Sequence, residues 1–239
     1  MIVERFPHLA VTSRNVGRKR VLGLFKTVAA TLTYLRRNHV QAELAEYLNV
    51  SQSTISRRVA TFTPILGELL EPWVPTVEDL DPQVQLIVDG TLLPCWSWSD
   101  QPELWSGKHR TTGLNVQVAC TLSGHLAWVS DPQPGKAHDA KAIRASGLLH
   151  EQDHPRHLGD KGYIGLGMLT PIRKPPGGQL LDWQQQFNTD VNAIRYQIER
   201  TIANLKTWRI LHTDYRRPLT TFPETISAVI ALEFYRTAL

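Results

Sequence analysis

Pro72, Pro75 and Pro82 fall within twelve residues of one another, in the stretch 71–82. Proline fixes φ and carries no backbone donor, so this stretch cannot extend a helix and predicts an extended connector. It divides a chain of 239 residues, long enough for one large domain or for a small one plus a medium one. The expected boundaries are a helical domain over residues 1–75 and a mixed α/β domain over 76–239.

Upstream, residues 21–37 read as one helix and 41–48 as a second, with Leu44, Ala45 and Leu48 on one face. Asn49 and Val50 break the pattern. Ser51 is a good N-cap for a third helix reaching about Thr61, because its hydroxyl can accept from an unpaired first-turn amide. Ile55 and Val59, spaced i, i+4, face that helix's core, leaving Gln52, Ser53, Thr54, Arg57 and Arg58 exposed. Short helix, tight turn and polar-tipped helix make a helix-turn-helix pattern. Ser, Thr and Gln reach base edges, while arginines suit phosphates or guanine.

The charge distribution agrees. Residues 1–63 hold ten Lys/Arg against Glu4, Glu43 and Glu46, while the remainder holds sixteen against nineteen acids. A basic N-terminal third beside a mildly acidic remainder predicts a nucleic-acid-binding module joined to something else. Cys95 and Cys120 are too few for a disulfide framework or a four-thiolate zinc site. No apolar run has the length of a membrane span, and no signal-peptide core opens the chain. A reducing cytoplasm is the expected compartment, with no membrane association.

Downstream, strands are expected at 84–88, 114–121, 126–130 and 157–159, with a fifth candidate at 168–172. A short helix falls at 140–145 and a long one at 188–208. Three acids stand out on these elements. Asp89 ends the first strand before Gly90-Thr91, Asp160 follows His157-Leu158-Gly159, and Glu199 lies in the long helix. At 100° per residue, Arg195 lies about 40° and Lys206 about 20° from Glu199 around that helix, forming one polar stripe. A charge at a central strand is costly unless a metal or hydrogen bonds compensate it. The plain alternatives are Asp-Gly turns for the two aspartates and a surface Arg–Glu pair for Glu199.

Asp89-Gly90-Thr91, Gly159-Asp160-Lys161-Gly162-Tyr163 and Arg195-x-x-Ile198-Glu199-Arg200, with Lys206 beyond, resemble the DDE transposases of bacterial insertion sequences and their Harbinger-like relatives. The resemblance covers roughly residues 36–212. It implies an RNase H-like catalytic domain behind the helix-turn-helix, with Asp89, Asp160 and Glu199 holding two Mg²⁺ or Mn²⁺ ions. In such sites the metals lie about 3.5–4 Å apart, so the acids are expected within about 10 Å of one another. Clustered carboxylates repel, so one is expected to titrate high. Arg195, Lys206 and Lys161 are the expected phosphate holders. The implied partners are double-stranded DNA (terminal inverted repeats and target) and further copies of the chain assembled on it. The implied activity is metal-dependent cleavage and strand transfer. A domesticated DNA-binding protein with a dead core, and a structure-specific nuclease of the same fold, are the alternatives.

Other features are read more plainly. Asp139, in His138-Asp139, is a cap for the helix at 140 and the reserve for Asp160. His150, His154 and His157 have metal-like spacing, but Pro155 breaks the helix that would align them, so a surface loop is expected. Trp96, Trp98 and Trp105 either stack on bases or pack a long hairpin.

Overall fold

The computed structural model describes residues 2–6, 22–96, 100–149 and 156–238. Trp98, His150, His154 and the basic residues Arg14, Arg18, Lys19 and Arg20 lie outside the described residues. The chain forms two compact units. One takes residues 1–74, 207–213 and 217–239; the other takes 75–206 and 214–216. The first break thus falls within the proline stretch, between Val74 and Pro75. The expectation that everything after residue 75 forms one domain does not match this division: the last quarter of the helical unit comes from the C-terminal residues.

The helical unit contains α1 (Ile2–Arg5), α2 (Leu24–Arg37), α3 (Gln41–Leu48), α4 (Gln52–Leu70) and α7 (Phe222–Thr237). Helix α2 ends at Asn38 and α3 at Asn49, both left-handed (φ 51° and 52°), the conformation Asn tolerates better than most residues. The Ser51 hydroxyl accepts from Thr54 N–H at 3.3 Å, as an N-cap should. Helix α4 outruns its expected end at Thr61 and passes through Pro64 to Leu70. An internal proline costs about 3 kcal/mol or more. Burial of Phe62 and Thr63 before it, and of Leu66 and Leu70 after it, offsets that cost. Helix α7, which the sequence reading did not single out, is buried along most of its length, from Phe222 to Phe234. Gly67 lets α4 come close to it: a Cβ there would sit 3.5 Å from Ala228 Cα.

The sheet unit is built on β1 (Leu86–Pro94), β2 (Trp105–Ser106), β3 (Thr111–Thr121), β4 (Leu126–Val129) and β5 (Gln133–Pro134). Strand β3 is the hub, pairing antiparallel with all four others. The free edge of β1 takes a parallel bridge from Leu158, which bridges Leu169 in the same direction. The expected strands at 157–159 and 168–172 are therefore single bridges. Helices α5 (Asp139–Ala145) and α6 (Asp182–Leu205) complete the unit.

Alternation along β1 and its register with β3 sort the side chains by face. Leu86, Val88 and Gly90 share a face with Ala119, Gln117 and Asn115. Leu86, Val88 and Ala119 pack there with Trp128, Ile143, Leu148 and Tyr163 in one buried cluster. Ile87, Asp89 and Thr91 share the other face with Cys120, Val118 and Val116.

Candidate active site

Asp89 is not at a strand end. Strand β1 runs five residues beyond it, and Asp89 pairs with Val118 in mid-sheet. The Asp-Gly turn is thereby excluded: Asp89 and Gly90 are both ladder residues. The Asp89 carboxylate accepts from Gly90 N–H at 2.9 Å and lies 3.6 Å from Arg195 Nη2 of α6. Burial pushes its pKa up to about 6. Arg195 pulls it down, the Asp160 charge pushes it further up, and the hydrogen bond from Gly90 lowers it less. One acid does titrate high, but burial and not carboxylate repulsion is the main cause. Arg195 is itself under-satisfied: its Nε is buried with no hydrogen-bond partner among the described residues.

Asp160 is fixed by its own motif. Gly159 has no side chain, and a Cβ there would lie 2.8 Å from the Tyr163 ring, so the ring packs on bare backbone. Asp160 then caps a single 3-10 turn (Lys161–Tyr163), accepting from Gly162 N–H at 2.6 Å. Tyr163, fully buried, pins that turn to the sheet by donating to Gln117 Oε1 at 2.6 Å. Two strand-edge hydrogen bonds place Leu158 beside β1, with Val88 N–H donating to Leu158 O and Leu158 N–H to Leu86 O, both at 2.8 Å. Asp160 is thus held close enough for its charge to act on Asp89.

Glu199 lies on the exposed flank of α6, one turn beyond Arg195. Arg195 pairs with Asp89 and not with Glu199, so the plain alternative of an i, i+4 surface pair is not formed. Among the described residues no three His, Cys, Asp or Glu side chains converge tightly enough to hold a metal ion together. The structure therefore brings Asp89, Asp160 and Arg195 to one place and leaves Glu199 outside that group, exposed on α6. Lys206 caps the C-terminus of α6, half-buried, and burial lowers its pKa. Lys161 is exposed, with its carbonyl accepting from Arg173.

Asp139 is not a helix cap. His138 occupies the N-cap, and the Asp139 side chain turns to the sheet. There it accepts from Lys108 Nζ at 2.8 Å and from Asn115 Nδ2 at 3.0 Å. Burial would raise its pKa, but the bonds from Lys108 and Asn115 leave it lowered. Gly90 makes the approach possible, since a Cβ at that position would collide with Asp139 Oδ1 and lie 2.8 Å from Gln117 Nε2. Gln117 Nε2 in turn donates to Asn115 Oδ1 at 3.1 Å. Lys108, Asn115, Gln117 and Tyr163 were missed in the sequence. The available signal was Asn115 and Gln117 alternating with Val116 and Val118, which puts two amides on a face that must be buried.

The remaining candidates separate. In the helical unit Gln52, Ser53 and Arg57 are exposed, whereas Thr54 and Arg58 are half-buried, a correction to the uniform exposure expected. His157 is buried, and its Nδ1 accepts from Leu86 N–H at 3.1 Å, so it is a structural group of the sheet edge. Trp96 and Trp105 are half-exposed.

Residues 88–233, most of the sheet unit and part of the C-terminal helix, match the family described as DDE superfamily endonuclease. The chain belongs to that family. Residues 20–72 match the helix-turn-helix of DDE superfamily endonucleases. The "Putative transposase for insertion sequence element IS112" of Streptomyces albus G is 30% identical over 82% of this chain and 73% of its own length. The "Probable transposase for insertion sequence element IS702" of Microchaete diplosiphon is 25% identical over 85% of this chain and 77% of its own. The "Putative nuclease HARBI1" of Mus musculus is 23% identical over 82% of this chain and 61% of its own. No solved structure matches at comparable stringency. Among the described residues no helix is long and apolar enough to cross a membrane.

Proposed function

We propose that this family member is a transposase of an insertion-sequence type. Its helix-turn-helix would recognise terminal inverted repeats, and its RNase H-like sheet unit would cut and rejoin DNA. One observation carries the reading: Asp89, a half-buried mid-strand acid, is under-compensated and stands beside a second acid, Asp160. A solely structural carboxylate would be better satisfied. The order of elements supports the fold: three antiparallel strands, then two parallel segments on the edge of β1, then a long helix.

The donor set fits a hard divalent cation, since Asp89 and Asp160 offer carboxylate oxygens whose mutual repulsion a cation would relieve. Asp89 and Asp160 would hold Mg²⁺ or Mn²⁺, with Glu199 completing a two-ion set from α6. Bound cations supply Lewis-acid stabilisation of the attacking and leaving oxygens of an in-line phosphoryl displacement. Arg195, already beside Asp89, would add positive charge at the same place for a phosphate oxygen. Lys206 and Lys161 extend the positive rim. In the helical unit Gln52, Ser53 and Arg57, with Thr54 and Arg58 less exposed, present the DNA-reading surface of α4. On DNA, several copies would assemble so that two ends are processed together.

The test is incubation of the full chain with Mn²⁺ and duplexes carrying the ends of the element encoding it. The expected products are 3′-hydroxyl nicks at the ends and molecules joined to target DNA. Nicks without joined products would replace transposase by nuclease; binding without nicks would leave a DNA-binding protein.

A further inference from the structure

Lys108 stands at the end of a buried polar chain that the proposed chemistry does not use. Tyr163 donates to Gln117, Gln117 to Asn115, and Asn115 to Asp139, whose second oxygen takes the Lys108 ammonium. Asn115 also donates to Ala137 O at 3.1 Å, which ties the chain to the start of α5. Asp139 is 12% exposed, whereas the Lys108 side chain is 57% exposed. An exposed lysine paired to an acid contributes under about 1 kcal/mol to stability. Committing three buried side chains and a glycine to such a pair is out of proportion to that gain.

The turn carrying Lys108 is itself held. Residues 107–110 close the β2–β3 hairpin, with Arg110 left-handed at φ 53° and its N–H donating to Ser106 O at 2.8 Å. The Ser106 hydroxyl, in a residue that is itself buried, also accepts from His109 N–H at 3.4 Å. Lys108 thus has a fixed backbone and a fixed ammonium. One of its three N–H donors goes to Asp139, and no other acceptor is found among the described residues. The charge is near enough to act on Asp89 and Asp160 as well as Asp139, and His109 beside it feels Lys206. Lys108 therefore stands over the acid pair without neutralising it, since its own partner is a third acid.

Building on the nuclease reading above, we infer that Lys108 contacts the DNA phosphodiester at the cleavage site, and that Asp139 is a positioning residue that holds it there. A phosphate oxygen arriving at Asp89 and Asp160 meets an ammonium already desolvated on one side and oriented. Asp139 keeps that ammonium from collapsing onto the catalytic acids, and Asn115, Gln117 and Tyr163 keep Asp139 in place.

The experiment has two arms on the full chain. In the first, Mn²⁺-dependent cleavage of duplex DNA is followed for wild type, Lys108→Ala, Lys108→Arg, Asp139→Asn and the Lys108→Ala/Asp139→Asn pair. Lys108→Ala is expected to lower kcat roughly 10- to 100-fold, the scale of one lost pre-oriented charge, with DNA affinity nearly unchanged. Lys108→Arg should restore most of it, and Asp139→Asn should cost little more once Lys108 is gone. Lys108→Ala cleaving within twofold of wild type would overturn the inference. The second arm needs no variant: lysine acetylation of wild type, read by mass spectrometry, with and without a phosphorothioate duplex. Lys108 is expected to be protected by DNA, and equal modification in both samples would overturn the assignment. Wild type that never cuts, or Asp89→Asn that cuts normally, would instead sink the nuclease reading, while the protection arm still decides Lys108.

Discussion

Each unit holds one conspicuous acid largely out of water, Glu233 buried and Asp89 half-buried, and the two are treated oppositely. In the helical unit Glu233 of α7 is 3% exposed. It accepts from Trp208 Nε1 at 2.8 Å and from Arg236 at 3.0 and 2.6 Å. Burial would raise its pKa, but those bonds win and lower it. In the sheet unit Asp89 has one backbone bond and one loose ion pair, and burial wins. A buried carboxylate with its oxygens filled is a finished structural part. One left short of donors in mid-sheet is what the metal-binding reading proposed above rests on.

The largest expected difference between the two acids is catalytic. Asp89→Asn and Asp160→Asn should each lower metal-dependent cleavage by roughly 10³-fold or more, whereas Glu233→Gln should leave the rate per folded molecule unchanged. Equal losses from Glu233→Gln and Asp89→Asn would erase the distinction.

Next comes pH. The folded pKa of Asp89, about 6, stands above its ordinary 3.8. Such an acid costs nothing below its unfolded value and its full penalty above its folded one. Metal-free stability should therefore fall relative to Asp89→Asn between about pH 4 and about pH 6, by up to about 3 kcal/mol. Thermal melts in EDTA at both ends of that window measure the gap. Mn²⁺ should close it for wild type alone, and more effectively as the pH rises. A gap that stays constant with pH would mean Asp89 is as well satisfied as Glu233.

Glu233→Ala should destabilise the chain by roughly 2 kcal/mol, because Trp208 Nε1 is left buried without an acceptor. Denaturant melts test it. The smallest effect expected is on DNA binding. Arg57→Ala should weaken duplex binding and reduce the salt slope by about one ion. Arg58→Ala should do less, since Arg58 is half-buried. A larger effect from Arg58 would place the DNA on a different face of α4.

How much of this could be read from the sequence follows from how local each signal is. Helix α3, the Ser51 cap and the break at Asn49 were predicted almost to the residue, because capping and left-handed turns are set by one or two side chains. The turn at Gly159–Tyr163 was legible for the same reason, though the role of Tyr163 as its anchor was not. The end of α4 was misjudged because Pro64 is a local stop signal overridden by packing from α7, a helix some 160 residues later in the chain. Asp89 was identified but placed at a strand end, since Asp-Gly reads as a turn until β3 supplies a partner for each residue. Asp139 looked like a cap because the sequence cannot reveal that Gly90 opens space for it on the sheet.

The helical unit is assembled from both ends of the chain, and that has a consequence for synthesis. As the polypeptide leaves the ribosome, α2 to α4 emerge first, with Leu66 and Leu70 still lacking the helix that covers them. The whole sheet unit must be translated before α7 arrives to close that core. At about 5–20 residues per second, the gap between α4 and α7 lasts on the order of ten seconds. For that interval the nascent chain has a helical unit with an open apolar flank. A chain ended before α7 would leave that flank of α4 uncovered.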